Sequence, residues 1–288
     1  MRDKILIIGC GDTGKRVITS LSRENYLISV TSHSQPSQAL LNELSVNVIA
    51  ANLDKPNSLT NLPTQNSYVF YFAPPAAKGV TDDRMLHFIN SLDKQLPPKR
   101  ITYISTTGVY GNCHGQWITE KSPLNPGNDR SRRRLHAESL INEFCKNSTC
   151  DWVILRVSGI YAPAKFPLDR LKNGVSVLAP DIAPSSNRIH ADDLANCCIR
   201  AMFHSPANEI YNIADGHPSS ISDYFIQLAK KYDLPTPNYL SWDQAEKELS
   251  PAMLSYLHES KKINIDKLIN VLNIKLKYPT LRDGLEAC

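Results

Sequence analysis

The chain has 288 residues, a hydrophobic share of 42%, a charged share of 21% and a formal net charge of +4. This composition is ordinary for a globular domain and excludes a disordered, collagenous or coiled-coil chain. The excess of positive charge is too small and too dispersed to indicate a nucleic-acid or membrane partner.

Neither processing nor metal-binding signals stand out in the sequence. The first apolar run, Ile5 to Ile8, is too short for a signal peptide, and no run approaches the roughly 18 residues of a membrane span. The seven cysteines are odd in number and contain no C-x-x-C pair. The sequence therefore predicts a cytoplasmic protein with reduced thiols and without a zinc site.

Short β-branched runs alternate with helical patterns through the first 160 residues. The predicted strands are 4–8, 26–31, 46–50, 67–73, 100–105 and 152–157. The predicted helices between them are Thr13–Leu21, Gln38–Leu44, Asp82–Gln95 and Arg130–Cys145. This alternation favours an α/β fold of the Rossmann type, a doubly wound parallel sheet covered by helices on both faces.

After residue 160, prolines divide the pattern into shorter pieces, apart from a helix predicted at 191–204 and a strand at Glu209–Ile213. From residue 219 the pattern indicates helices joined by proline-rich loops. We therefore expect residues 1–160 and 187–214 to form the sheet domain, and residues 161–186 and 215–288 to form a smaller, mostly helical C-terminal lobe.

A glycine-rich segment, Gly9-Cys10-Gly11-Asp12-Thr13-Gly14, follows the first strand and opens the first helix. In that context the spacing G-x-G-x-x-G allows a tight turn, close approach of a pyrophosphate and close packing of helix on strand. The unpaired amides at the start of the helix favour an anion. We predict an NAD(P)-binding domain whose pyrophosphate site contains Gly9, Gly11, Asp12, Thr13 and Gly14.

The segment after the second strand, Thr31-Ser32-His33-Ser34, contains no acidic residue. An Asp or Glu there would bind the ribose hydroxyls of the adenosine and select NAD. Without that carboxylate, Ser32 and His33 can donate hydrogen bonds to a 2′-phosphate, although no arginine stands beside them. We therefore expect NADP as the cofactor rather than NAD.

The segment after the fifth strand, Ser105–Gly111, reads STTGVYG and resembles the signature of extended short-chain dehydrogenases/reductases. Three further stretches follow in the order of that family, and a fourth is similar to the family's C-terminus. They are Leu155–Tyr161, Ile189–Ala195, Tyr211–Asp215 and Tyr278–Leu285. The resemblance implies a Rossmann domain that binds NAD(P) and a variable substrate-binding lobe that closes over the substrate.

The resemblance also assigns expectations to single residues. It places adenine contacts near Asp54, although this residue alone could simply cap a helix. It places the backbone of Ala73 and Pro74 near the pyrophosphate. Thr106 stands where the family's catalytic hydroxyl lies, so we expect it to face the active-site crevice.

The family's catalytic pair is where this sequence departs from the pattern. Active members have a Tyr, and a Lys four residues later that lowers the Tyr pKa for proton transfer. By the family's spacing these positions are Arg130 and Arg134, and a guanidinium cannot serve as acid or base at neutral pH. The sequence has one other Tyr-x-x-x-Lys, Tyr161 to Lys165, but it contains Pro163 and does not lie on the required helix. The resemblance is thus to atypical, epimerase/dehydratase-like members.

Alternatives remain open for the residues around the expected crevice. Arg134 is expected to contact the nicotinamide ribose in place of the lysine, or to lie on a solvated helix face. Arg130 is expected to meet an anionic substrate beside Thr106. Tyr110 is either a structural residue of its loop or a substitute acid at the substrate.

Two functions follow from this sequence. One is an NAD(P)-dependent oxidoreductase or epimerase/dehydratase-like enzyme that acts on a small, anionic substrate of unknown identity. The other is a non-catalytic sensor or regulatory protein that binds NADP(H) or another small-molecule effector. The missing Tyr and Lys favour the sensor, whereas Thr106 and the lobe favour the enzyme. The oligomeric state stays open, with a homodimer among the alternatives.

Overall fold

The structure is a computed structural model and describes residues 2–21 and 25–287. Its centre, within those residues, is a sheet of seven parallel strands with the spatial order β7-β6-β5-β4-β1-β2-β3. In chain order the strands are β1 (Asp3–Ile8), β2 (Tyr26–Ser32), β3 (Asn47–Ala50), β4 (Ser67–Tyr71), β5 (Arg100–Thr106), β6 (Asp151–Val157) and β7 (Glu209–Ile213). The Rossmann-type sheet predicted from the sequence is therefore confirmed.

Helices pack on both faces of the sheet and build the C-terminal region. Those of the described residues are α1 (Asp12–Ser20), α2 (Gln35–Asn42), α3 (Asp83–Asn90), α4 (Asp129–Lys146), α5 (Leu168–Lys172), α6 (Ala191–His204), α7 (Ile221–Lys231), α8 (Trp242–Glu248), α9 (Pro251–Leu257), α10 (Asp266–Leu272) and α11 (Leu281–Glu286). Among them, no helix is both long and apolar enough to cross a membrane.

Successive side chains of β1 point to opposite faces of the sheet, and this explains why helices cover both faces. Ile5 and Ile7 belong to a core cluster that includes side chains of α1 and α6. Leu6 and Ile8 belong to a second cluster that includes side chains of α3 and α4. All four side chains are almost fully buried, as expected for a parallel strand that is covered on both sides.

The strand order reverses between β1 and β4. The strands β2 and β3 lie on the β1 side of this point, and β5, β6 and β7 lie on the β4 side. Ligands of open α/β sheets bind at such a point, outside the carboxyl ends of the strands. The glycine-rich segment begins directly after β1, and Ala73 lies just beyond β4. The topology thus brings the predicted pyrophosphate site to the place where the strand order reverses, which is called the switch point of the sheet.

The C-terminal region has cores of its own and also contacts the sheet. One cluster joins Leu171 of α5 with Phe225 and Leu228 of α7, whereas Leu268 and Leu272 of α10 pack in a cluster of the main sheet. Short strands outside the sheet pair two by two, and they are Trp117–Ile118, Gly159–Tyr161, Ser176–Leu178, Ser185–Ser186, Arg188–His190, Ser219–Ser220, Asn238–Leu240 and Lys262–Ile263. The division into two domains at residues 160, 187 and 214 stays a prediction.

The contact between Gly9 and Ala73 predicts a large effect of a small substitution. Gly9 has φ of 84°, and a Cβ there would lie 2.6 Å from both the Cα and the N of Ala73. We expect Gly9→Ala to lower the free energy of unfolding by about 3 kcal/mol, because a strained backbone and a steric overlap combine. Urea unfolding measures this loss.

Gly11→Ala is the matched control, since a Cβ at that position would meet no residue distant in sequence within 4 Å. It should lower the free energy of unfolding by about 1 kcal/mol or less, the difference between Gly and Ala at a helix N-cap. Equal losses for the two variants would contradict the role assigned to the contact with Ala73.

Candidate functional site

The glycine-rich segment has one open side and two packed sides. Gly9 lies against Ala73, and a Cβ on Gly14 would lie 3.0 Å from Cys10 Sγ and 3.4 Å from Ile7 Cγ2. Gly11, by contrast, faces open space. The amides at the start of α1 have no acceptor within the helix, so the open side at Gly11 combines room for a ligand with donors for an anion.

Asp12, the first residue of α1, forms ion pairs with two cations. Arg16 Nε and Lys165 Nζ lie 3.2 and 3.0 Å from Asp12 Oδ2. Burial of Asp12 opposes its ionisation, but the hydrogen bonds from Lys165 and Arg16 outweigh that effect and lower the pKa of the carboxyl. Arg16 also pairs with Asp192 at the start of α6. Thr13, the next residue of α1, is buried.

The residues predicted at the adenosine end lie near the ends of β2 and β3. Ser32 is buried, and its hydroxyl donates a long hydrogen bond of 3.4 Å to the carbonyl of Ser34, whereas His33 is exposed. Asp54 binds Arg84 through both carboxylate oxygens, at 2.7 and 2.6 Å. That contact lowers the pKa of the Asp54 carboxyl. Asp54 is the carboxylate among the residues predicted at the adenosine end, and it is paired with Arg84.

Arg84 also reaches the backbone beyond β4. Its Nη1 donates to the carbonyl of Pro74 at 3.2 Å, and the amide of Ala73 donates to the carbonyl of Ile8 at 3.0 Å. These bonds hold the Ala73-Pro74 segment beside the end of β1, where the sequence places a pyrophosphate contact.

A cavity of about 460 Å³ opens between the carboxyl ends of the strands and the C-terminal region. Most of its lining residues carry hydroxyl, amide or charged groups. They are Thr106, Thr107, Gly108, Asn128, Arg130, Ser131, Val157, Ser158, Gly159, Ser185, Ser186, Asn187, Ala252, Ser255, Tyr256, Glu259 and Lys261. Thr106, half-buried at the end of β5, lines this cavity, and its place in an active site stays a prediction. Its Oγ1 accepts a hydrogen bond of 3.1 Å from the amide of Gly108.

Arg130 lines this cavity from the first turn of α4 and remains exposed. Among the described residues none forms an ion pair or hydrogen bond with its guanidinium. Partial burial and the like charges of Arg134 and Arg133 lower the pKa of Arg130. An unpaired cation on the wall of a cavity favours an anionic ligand.

Arg134, one turn later, is buried and bound to the protein itself. Its Nη1 donates to the carbonyl of Ile104 at 2.9 Å, to the Tyr103 hydroxyl at 3.2 Å and to the carbonyl of Ala73 at 3.5 Å. The guanidinium thus braces the ends of β4 and β5, and the alternative of a solvated helix face is wrong. A contact between Arg134 and the nicotinamide ribose stays a prediction.

Tyr110 belongs to a buried network and does not line the cavity. Its hydroxyl accepts a hydrogen bond from Arg156 Nη1 at 3.0 Å and donates one to Asn212 Oδ1 at 2.7 Å. Burial raises the pKa of Tyr110 to about 12. The expectation that Tyr110 contacts substrate is therefore corrected, because its hydroxyl is enclosed and already paired, and the structural interpretation is the one that fits.

The same network joins α4 to the sheet through two buried charges. Arg156 Nη2 lies 2.7 Å from Glu138 Oε2, and Arg156 Nε donates to Glu138 Oε1 at 3.2 Å. The Ser105 hydroxyl also donates to Glu138. Each side chain of this ion pair is at most 6% exposed, so the contact fixes α4 against β5 and β6.

Sequence reasoning missed the charged residues that reach the cavity from the C-terminal region. Lys261 Nζ donates to Glu259 Oε2 and to the carbonyl of Gly111, both at 2.7 Å. Asn128, which caps α4, donates to Glu259 Oε1 at 3.0 Å. No motif marks Glu259 or Lys261, because only the folded arrangement brings the segment after α9 over the strand ends.

Two hydroxyl side chains of the cavity were also missed. Ser158 Oγ is buried and has no hydrogen-bond partner among the described residues. Tyr256, on α9, is 43% exposed. Together with the Thr106 hydroxyl, these groups give the cavity wall polar atoms that a hydroxyl-bearing ligand could contact. Within the described residues, no group of three or more His, Cys, Asp or Glu side chains could hold a metal ion.

Comparison with known proteins shows a family likeness over most of the chain. Residues 5–214 match the sequence model of the NAD dependent epimerase/dehydratase family. Human dTDP-D-glucose 4,6-dehydratase is 24% identical over 153 residues, which are 50% of this chain and 43% of that protein. Protein YeeZ of Escherichia coli K12 is 23% identical over 285 residues and 96% of both chains. This chain thus spans less than half the length of the dehydratase that it matches.

Solved structures share the fold over nearly the whole chain. A functionally unknown protein from Silicibacter pomeroyi has a TM-score of 0.83 at 25% identity, over 99% of this chain and 97% of that chain. The UDP-glucose 4-epimerase of Thermotoga maritima, solved with UDP-glucose, has a TM-score of 0.80 at 18% identity, over 98% and 96%. The likeness includes the C-terminal region as well as the sheet.

The buried position of Tyr110 predicts that its hydroxyl stabilises the fold and does not bind a ligand. We expect Tyr110→Phe to lower the free energy of unfolding by about 1–3 kcal/mol, because Arg156 and Asn212 each lose a buried partner. Denaturant unfolding measures the loss, and titration with NADH or NADPH should give the wild-type affinity. A variant with unchanged stability and weakened ligand binding would contradict this assignment.

Proposed function

The chain belongs to the NAD-dependent epimerase/dehydratase family, and from this premise we propose that it binds a nicotinamide dinucleotide and acts on a small, anionic, hydroxyl-bearing substrate. The observation that carries the proposal is that two candidate sites lie at the same edge of the sheet. The open glycine-rich segment follows β1, and the cavity residue Thr106 ends β5, which is separated from β1 by the single parallel strand β4. The cofactor and the substrate can therefore meet at the strand ends.

The residues at the switch point fit a dinucleotide. Gly11 leaves open space where any side chain would project, and the first amides of α1, from Asp12 to Gly14, point out of the helix end. Those amides would hold the pyrophosphate, with the Ala73-Pro74 backbone on the opposite side. When bound, the nicotinamide supplies reversible acceptance of a hydride.

NADP is the cofactor that we propose over NAD. The support is the absence of an acidic residue in Thr31-Ser32-His33-Ser34, together with the ion pair that occupies Asp54. Exposed His33 and the hydroxyl of Ser32 can donate to a 2′-phosphate, and no carboxylate of this segment opposes it.

The cavity supports a substrate with an anionic group and several hydroxyls. Arg130 supplies an unpaired positive charge, while Thr106, Ser158 and Glu259 supply hydroxyl and carboxylate groups on the wall. The related proteins act on nucleotide-linked sugars according to their names, and such a molecule has the required chemistry. We propose this substrate class for the chain.

Proton transfer must differ from that of Tyr/Lys members. Arg130 and Arg134 remain charged at neutral pH, and Tyr110 is enclosed. Apart from Arg130, the titratable groups that reach the cavity are Tyr256, Glu259 and Lys261, with Thr106 as a hydroxyl that can hold a substrate oxygen. Proton transfer in this site is thus assigned to residues from the C-terminal region.

The second candidate function is a non-catalytic NADP(H)-binding sensor. One observation favours it: Arg134, at the position of the family's lysine, is bound to strand-end carbonyls rather than directed to a ligand. A screen of nucleotide sugars with the NADP-loaded protein separates the two functions. Conversion of any of them establishes the enzyme, whereas tight cofactor binding without conversion supports the sensor.

Gly11→Val tests the cofactor site. The valine side chain would occupy the open side of the segment, so we expect the affinity for NADH and NADPH to fall by at least about 100-fold, the order expected when backbone approach to the phosphates is blocked. Calorimetric titration measures both cofactors, with tighter binding of NADPH by the wild type. Circular dichroism and a wild-type unfolding transition show that the variant is folded, and undiminished affinity would refute the placement.

Arg130→Met tests the anionic substrate. We expect binding of UDP-glucose or UDP-glucuronic acid to weaken about tenfold, because a charge-assisted hydrogen bond is lost. Arg132→Met is the matched control, since Arg132 lies on the same helix, is exposed and pairs with Asp129 at 2.8 Å. Equal affinities of the two variants, measured by calorimetry in the presence of NADP, would show that Arg130 does not contact the substrate.

A further inference from the structure

The Tyr-x-x-x-Lys sequence of residues 161–165 is divided between two places in the structure. The Tyr161 hydroxyl lies 3.4 Å from the carbonyl oxygen of Thr280, and its ring packs beside Gly284. Lys165 ends the turn Pro163–Lys165 and points the other way, so that its Nζ lies 3.0 Å from Asp12 Oδ2. A cation from the C-terminal side of the sheet thus reaches the first turn of the cofactor helix.

The charge at that helix start is unusual for an anion site. Asp12 is ionised, since its carboxyl pairs with Arg16 and Lys165, and it would repel a phosphate in the same turn. Arg16 is shared, because it also pairs with Asp192. The negative charges of Asp12 and Asp192 are therefore matched by the positive charges of Arg16 and Lys165. Without Lys165, this group of side chains would carry a net negative charge.

Lys165 is also the cation that can exchange partners. Its side chain is 37% exposed and that of Asp12 is 35% exposed, and an ion pair between exposed side chains contributes little to stability. The four-carbon stem is flexible, and the ammonium has three donors. A diphosphate offers two negative charges in place of one, next to amides that already favour an anion.

We propose that Lys165 is a pyrophosphate ligand of the cofactor, which exchanges its contact with Asp12 for one with the phosphates. This inference rests on the proposed dinucleotide binding. The turn Pro163–Lys165 leads into α5, and Leu171 of α5 packs in the core cluster that includes α7. The cofactor is therefore held from both the sheet and the C-terminal lobe.

Lys165→Met tests the proposed contact between Lys165 and the pyrophosphate, with Lys172→Met as the control. We expect NADH and ADP to bind about fivefold more weakly, and the salt dependence of binding to decrease, because one phosphate contact is lost. Lys172→Met is the control, since Lys172 lies on the neighbouring helix α5 and is 59% exposed. Adenosine, which lacks phosphate, should bind both variants with wild-type affinity. Unchanged NADH affinity in a folded Lys165→Met variant would overturn the proposal.

A double-mutant cycle with Asp12→Asn separates a direct contact from neutralisation of Asp12. If Lys165 binds phosphate, the loss caused by Lys165→Met persists or grows in the Asp12→Asn background. If Lys165 only compensates the charge of Asp12, the loss disappears there, which would refute the proposal. A wild-type protein that binds neither NADH nor NADPH would instead refute dinucleotide binding itself, so the two failures are distinguishable.

Discussion

The buried ion pair of Glu138 and Arg156 determines where helix α4 meets the sheet. Two charges removed from water are tolerated only when their hydrogen bonds are satisfied, and here Arg156, Ser105 and Tyr110 complete the set. Any shift of α4 along the sheet would leave a charge unpaired. The register of α4 is therefore fixed, and every residue on its inner face has a defined place at the strand ends.

Arg134 and Arg130 lie about one and two turns before Glu138 on that face, so the ion pair also fixes their positions. Arg134 donates to the carbonyl of Ala73, just beyond β4, and to that of Ile104, within β5, and so holds the two strands together. Arg130 reaches the cavity. In the structure, the two positions where the family resemblance predicts the Tyr/Lys pair hold arginines, one of which braces two strands while the other brings positive charge to the cavity. Tyr256, Glu259 and Lys261 reach that cavity from the C-terminal region.

The sheet was predictable from the sequence because strands such as Ile5–Ile8 are apolar throughout and are followed by turn residues and helical patterns. The glycine-rich segment was equally recognisable, since its spacing has a local physical cause. Tyr110 and Arg134 show where such reasoning ends: burial and partners depend on side chains that are distant in sequence, such as Asn212 and Tyr103. Glu259 and Lys261 carry no local signal at all, because their role arises only from packing of the C-terminal region over the strand ends.

A crystal structure of the protein with NADP bound tests this account most directly. The account predicts the pyrophosphate at the amides of the first turn of α1, with the nicotinamide end directed to Thr106 and Arg130 and with Arg134 still bonded to the strand-end carbonyls. A tyrosine hydroxyl and a lysine ammonium together at the nicotinamide ribose, beside Thr106, would contradict it. Such an arrangement would show that the family's catalytic pair had been relocated rather than lost.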